Sequence, residues 1–125
     1  MSTPAALNKN KIVIGVDDQM ENIMILEALI EAQGYTFFGV GSGAEAISLA
    51  QRASPRLILL DIQMPGMDGI EALHWFRRGS DGRFPFLTPR ATPVVAVTAN
   101  ALGGDEQRFL DLGFDDYLSK PFRQS

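Results

Sequence analysis

Five polar residues carry the reactive chemistry of this chain: Asp17, Asp18, Asp61, Thr98 and Lys120. Each stands at or just past the carboxyl end of a short apolar run. Carboxylates gathered at one place repel one another, and two unit charges 4 Å apart cost about 4 kcal/mol at an effective dielectric near 20. A cation must offset that repulsion. Hard oxygen ligands with no His or Cys beside them select Mg²⁺, which commonly shares its coordination sphere with phosphate oxygens. Lys120 supplies a second, fixed positive charge. An aspartate partly neutralised in this way remains a usable nucleophile and can form an acyl phosphate by in-line attack. Asp61 is the candidate. Charge on the incoming phosphoryl group would be met by Mg²⁺, the Lys120 ammonium, the Thr98 hydroxyl and loop N–H groups.

The elements that must position these residues are legible as two alternating periodicities. Apolar or β-branched runs at 11–16, 36–40, 57–60, 93–98 and 116–119 predict five strands. The near-continuous apolar content of the first and third predicts strands covered on both faces. Between them, Ile23, Leu26 and Ile30 form a 3.6-residue stripe over 20–33, with Gly34 as its left-handed terminator. Ser42 and Glu45 have capping-box spacing and open a helix to about residue 53, with Ile47 and Ala50 inward. Asp68 caps a third helix with Ile70, Leu73 and Phe76 on its inner stripe, broken at Gly79, and a fourth runs over 104–112 to Gly113. Alternating strands and helices predict an α/β fold with a parallel sheet. Ligands in such sheets gather outside the carboxyl ends of the strands, which is where all five polar residues fall.

At 125 residues, with 46% apolar and 21% charged residues, the chain fits one globular domain from residue 11 onward, after a loose tail over 1–10. It contains no cysteine, which excludes a disulfide framework and thiolate metal sites and suits a reducing compartment such as the cytoplasm. No apolar run approaches the ~18 residues of a membrane span, and no signal peptide opens the chain. A net charge of −4 argues against direct binding to nucleic acid and points to a protein partner.

Taken together, Asp17-Asp18, the stretch from Asp61 to Gly69 with Met64-Pro65 and Asp68-Gly69, Thr98-Ala99, and Lys120-Pro121-Phe122 resemble the receiver domains of two-component response regulators and hybrid histidine kinases. The resemblance covers residues 11–122, and the segments from Thr98 to Leu102 and from Asp115 to Leu118 are most similar to hybrid-kinase receivers. It implies a flavodoxin-like doubly wound sheet of five parallel strands in the order 2-1-3-4-5. It further implies that Asp61 is the phosphoacceptor and that Asp18, Asp61 and the Gln63 carbonyl are direct Mg²⁺ ligands, with Asp17 acting through water. Thr98 and Lys120 would bind the phosphoryl group, small Ala99 would leave room for it, and Tyr117 would be the switch aromatic. The bond between Lys120 and Pro121 would be cis. The implied donor is a phosphohistidine on a histidine kinase or histidine phosphotransfer domain, docking mainly through the first helix. The chain would catalyse only its own modification.

Other readings of the same residues are weaker. Asp17 and Asp18 could merely cap a helix, but capping does not account for Asp61, Thr98 and Lys120. His74, on the flank of the third helix's stripe, reads as structural, and Met67, Trp75 and Phe76 as packing residues. Tyr117 could be an ordinary strand residue. A haloacid-dehalogenase-type phosphatase needs an acid two residues after its nucleophile, where this chain has Gln63. A flavin binder needs a hydroxyl- and glycine-rich cradle where this chain has two acids. The runner-up is an interaction-only receiver whose site is silent.

Two features depart from the family pattern. The connection over 79–92 is long and carries Phe84, Phe86 and Leu87, as a packed plug or a contact loop. The sequence also stops at Ser125, where receivers continue into a fifth helix. Without that helix, apolar residues of strands one, three and four are expected to be partly uncovered, favouring self-association as a homodimer or marginal stability. Gly103 and Gly104, each costing roughly 1 kcal/mol relative to Ala in a helix, predict a soft start to helix four.

Overall fold

In the computed structural model the described residues are 11–64, 66–78, 92–98 and 106–120. The expectations for the tail over 1–10, the 79–91 connection, Ala99, Gly103, Gly104, the Lys120 to Pro121 bond and any helix after residue 120 lie outside them.

The strands are β1 (Ile12–Val16), β2 (Thr36–Val40), β3 (Leu57–Asp61), β4 (Val94–Thr98) and β5 (Asp116–Ser119), and the helices are α1 (Met20–Ala32), α2 (Gly43–Ala50), α3 (Gly69–Arg78) and α4 (Glu106–Leu112). All strand pairs are parallel, in the order β2-β1-β3-β4-β5. This is the doubly wound α/β layout expected from the sequence.

The sheet separates two apolar layers. Ile14, Val16, Ile58, Leu60, Val94 and Ala96 point into the layer closed by Ala46, Ala50, Leu73, Phe76 and Phe109 of α2, α3 and α4. The alternate residues Val13, Leu59 and Val97 form a smaller layer with Leu26 of α1 and Phe37 of β2. Period-two alternation puts neighbours in a strand on opposite faces, so strands buried on both sides must be apolar at nearly every position. Each fully buried side chain of this size contributes about 1.5–3 kcal/mol of transfer free energy. Among the described residues, no helix is long and apolar enough to cross a membrane.

Local chemistry fixes the element ends. Ser42 Oγ accepts from the Glu45 N–H at 3.1 Å, while Glu45 Oε2 reaches back to the Gly41 N–H at 3.2 Å, one residue before the N-cap. Asp68 Oδ1 accepts from the Glu71 N–H at 2.9 Å and starts α3 as expected. Gly34 and Gly113, with φ of +90° and +112°, follow the ends of α1 and α4 in the left-handed region. Helix α2 ends at Ala50 rather than near residue 53, a shortening consistent with Pro55, which biases Ser54 away from helical geometry. Strand β3 runs one residue further than predicted because Asp61 itself pairs with Val97.

The expected uncovered face is not found at its central positions. Val13, Leu59 and Val97 are only 2%, 3% and 1% exposed, and Leu57 and Val95 beside them are partly buried.

At the opposite end of the sheet from the strand-end acids, one guanidinium ties three segments together. Arg77 Nη1 donates to the Thr92 carbonyl at 2.8 Å, and Nη2 donates to the Gly113 carbonyl at 2.9 Å and to Asp115 Oδ2 at 2.6 Å. The same Asp115 oxygen accepts from the Val94 N–H at 2.8 Å. Because the pair is partly exposed, it is worth less than a buried ion pair, but it also satisfies two carbonyls. Arg77→Met should lower unfolding stability by about 2 kcal/mol, read as a lower urea midpoint with an unchanged slope.

Candidate phosphoryl and metal site

The parallel strands deliver the predicted acids to one end of the sheet. Asp17 follows β1, Asp61 ends β3, Thr98 ends β4 and Lys120 follows β5. Asp17 and Asp61 are 2% and 3% exposed, and Thr98 is buried beside them in the sheet, whereas Asp18 is exposed. Lys120 Nζ lies 3.0 Å from Asp17 Oδ2 and 3.3 Å from Asp61 Oδ2. The Lys120 N–H donates to the Thr98 carbonyl at 2.9 Å, so β4 holds the backbone that carries the ammonium.

Each buried acid is held by its own loop as well. Asp17 Oδ1 accepts from the Gln19 N–H at 2.9 Å, and Asp61 Oδ1 accepts from the Gln63 N–H at 3.2 Å. These Asx-type turns aim the carboxylates before any ligand arrives. The second oxygens face Lys120. Asp17 Oδ2 is buried without an aligned hydrogen-bond donor, so the nearby ammonium acts on it as a charge.

Burial raises the Asp61 pKa above the usual carboxylate range and the Asp17 charge raises it further, partly offset by Lys120 and the Gln63 N–H. Burial works against the charged form of Lys120, but the two acids, 3.0 and 3.3 Å from its ammonium, outweigh it and its pKa is raised. The pocket therefore carries an uncompensated cost for negative charge.

Carboxylate oxygens of Asp17, Asp18 and Asp61 come within 4.8 Å of one another. Three carboxylates supplying hard oxygen ligands, with the buried Asp17 Oδ2 lacking an aligned hydrogen-bond donor, fit a divalent cation such as Mg²⁺. Beside them opens a cleft of about 270 Å³ lined by Asp17, Asp18, Met20, Ile23, Glu45 and the end of β2 from Gly39 to Gly41.

Residues 13–125 match the family described as response regulator receiver domain. The chain belongs to that family. This receiver domain is 40% identical over 111 residues to the polar-differentiation response regulator DivK of Brucella ovis, covering 89% of this chain and 85% of the relative. It also resembles the receiver domain of the sensor histidine kinase PA1611 from Pseudomonas aeruginosa, which holds a magnesium ion in its active-site cleft, with a TM-score of 0.75, 33% identity, and coverage of 91% and 88%. A second similar structure is the Saccharomyces cerevisiae pair of the histidine phosphotransfer protein Ypd1 and the receiver domain of Ssk1, with a TM-score of 0.76, 28% identity, and coverage of 91% and 81%. Membership in the family assigns the protein to two-component signalling, where receiver domains are in general switches rather than enzymes acting on a separate substrate.

The remaining sequence-predicted residues of the receiver are distributed as follows. Gln63 is exposed and holds Asp61 through its N–H. Tyr117 is partly buried against the larger layer and pairs with Ala96, on the same sheet face as Thr98 two residues on. His74 is exposed on α3, while Phe76 is in the core and Met67 and Trp75 are partly buried. Sequence reasoning missed the Gln19 N–H beneath Asp17, although the two-residue spacing after an Asp is a recognisable turn signal.

Proposed function

We propose that this receiver accepts a phosphoryl group from a phosphohistidine donor onto Asp61 and uses the modification to switch its partner contacts. The observation that carries this reading is the sharing of one ammonium, that of Lys120, by two buried strand-end carboxylates, beside a third acid. In the transfer, an Asp61 carboxylate oxygen attacks phosphorus, an O–P bond forms, the P–N bond breaks and its electrons leave on the donor imidazole. Lys120 holds positive charge against the transferring oxygens, and the Thr98 hydroxyl donates to one of them. Asp17, Asp18, Asp61 and the Gln63 carbonyl would hold Mg²⁺, which supplies charge neutralisation when bound. Ala99 would leave space for the phosphoryl group. As Thr98 is drawn toward that group, Tyr117 would turn into the vacated space and alter the surface around α4.

The donor would be a histidine kinase or histidine phosphotransfer domain seated on α1. At the amino end of that helix, Met20 and Met24 are 68% and 62% exposed beside the cleft that contains Asp17 and Asp18. The Ypd1 and Ssk1 pair is a precedent for such a partner. A donor phosphorylated on histidine should transfer its label to the wild type in Mg²⁺ and fail with Asp61→Asn. Equal labelling of the two proteins would overturn the assignment, and no labelling of either, from this donor or a small-molecule phosphodonor, would favour an interaction-only receiver.

A further inference from the structure

Gly69 begins α3 directly against the phosphoacceptor. A Cβ built on Gly69 would stand 2.2 Å from the Asp61 carbonyl oxygen, 2.8 Å from Ile62 Cα and 2.9 Å from the Asp61 carbonyl carbon. All three are backbone atoms, so no side-chain rotation could relieve the clash. The contact is also bonded, since the Gly69 N–H donates to the Ile62 carbonyl at 2.9 Å. Asp68 fixes the helix start from the other side by accepting from the Glu71 N–H and, through its carbonyl, from the Ala72 N–H at 3.0 Å.

We infer that Gly69 is a positioning residue for the transfer, because the backbone contact of α3 on Asp61 and Ile62 sets where the Asp61 carboxylate stands relative to Asp17 and Lys120. This rests on the reading of Asp61 as phosphoacceptor. Any side chain at 69 must push the α3 start away from the end of β3, and the loop that carries Gln63 joins the two. Asp61 Oδ1 is held by that loop and Oδ2 by Lys120, so a shift of the Asp61 backbone strains both contacts at once. A displacement of about 1 Å at a reacting group can cost on the order of a hundredfold in rate.

The test compares Gly69→Ala with Gly34→Ala, a variant strained by its φ of +90° but with nothing within 4 Å of the added methyl. Mg²⁺ affinity by calorimetry, labelling rate with acetyl phosphate and thermal stability are read on each. Gly69→Ala is expected to weaken Mg²⁺ binding about tenfold and slow labelling about a hundredfold, while Gly34→Ala loses stability and keeps both site properties. A folded Gly69→Ala protein within twofold of wild type in both would overturn the inference. If it unfolds, the measurements are repeated in sucrose, which favours the compact state, and failure to fold even there would overturn a positioning role in favour of a purely structural one. Should the wild type bind Mg²⁺ yet take up no label, the phosphoacceptor reading fails, while the Mg²⁺ comparison still decides whether Gly69 positions the acids.

Discussion

Removal of divalent metal with EDTA is expected to slow labelling of the wild type by a small-molecule phosphodonor about a thousandfold. Two buried acids share a single ammonium with a third, exposed acid beside them, and negative charge there is already costly enough to raise the Asp61 pKa. An incoming phosphoryl group adds more negative charge to the same place. Without a divalent ion, Lys120 is the one cation among the described residues paired with Asp17 and Asp61, and it must also meet the phosphoryl oxygens. The same imbalance sets a pH dependence. The folded-state pKa of Asp61 lies above 3.8, so the metal-free fold binds more protons than the unfolded chain in that window, and stability is lost as pH rises through the folded value. Mg²⁺ relieves the repulsion only where the acids are ionised, so its stabilising effect should be larger at about pH 7 than at about pH 4. At a hundredfold excess over its dissociation constant it should add about 2.7 kcal/mol near neutrality. A thermal melt with and without Mg²⁺ at both pH values checks this, and equal shifts at the two would contradict it.

The second large effect is expected from Lys120→Ala. The side chains of Lys120, Asp17 and Asp61 are 18%, 1% and 4% exposed, so truncation of the lysine leaves two buried carboxylates facing each other. Removing one partner of a buried pair typically costs about 3–5 kcal/mol. The measured loss should fall toward the lower end in saturating Mg²⁺, because the metal takes over part of the neutralisation. Labelling in Mg²⁺ should fall about a hundredfold even in protein that remains folded, since the fixed cation no longer meets the phosphoryl oxygens. Lys120→Arg should recover stability better than labelling. A guanidinium preserves the charge, but its planar fork does not reproduce a compact ammonium between Asp17 Oδ2 and Asp61 Oδ2. Arg restoring both in full would contradict this assignment.

Much of this was legible in the sequence because the information is periodic or local. Asp17, Asp61, Thr98 and Lys120 could be placed together once each was seen to end a strand, since parallel strands present all their carboxyl ends on one edge. Ser42 and Asp68 announced their helices through side-chain oxygens that reach only two or three residues. What was not legible depends on distance in the fold. Nothing near Arg77 in sequence points to Asp115 or to the Thr92 and Gly113 carbonyls, because α3, β4 and the turn after α4 meet only after the sheet has formed. The closeness of Gly69 to the Asp61 carbonyl is likewise a property of the loop's path. The expectation of an uncovered sheet face rested on the family pattern and did not anticipate that Val13, Leu59 and Val97 would be buried.

The most direct measurement is fluorine NMR of the domain with beryllofluoride, a tetrahedral phosphoryl mimic that attaches to a carboxylate oxygen. A bound fluorine signal should appear with wild type in Mg²⁺, vanish on chelation and be absent from Asp61→Asn. A bound signal that persists in Asp61→Asn or without divalent metal, or none with wild type at saturating Mg²⁺, would contradict an Asp61 oxygen poised for phosphorus by a cation and Lys120.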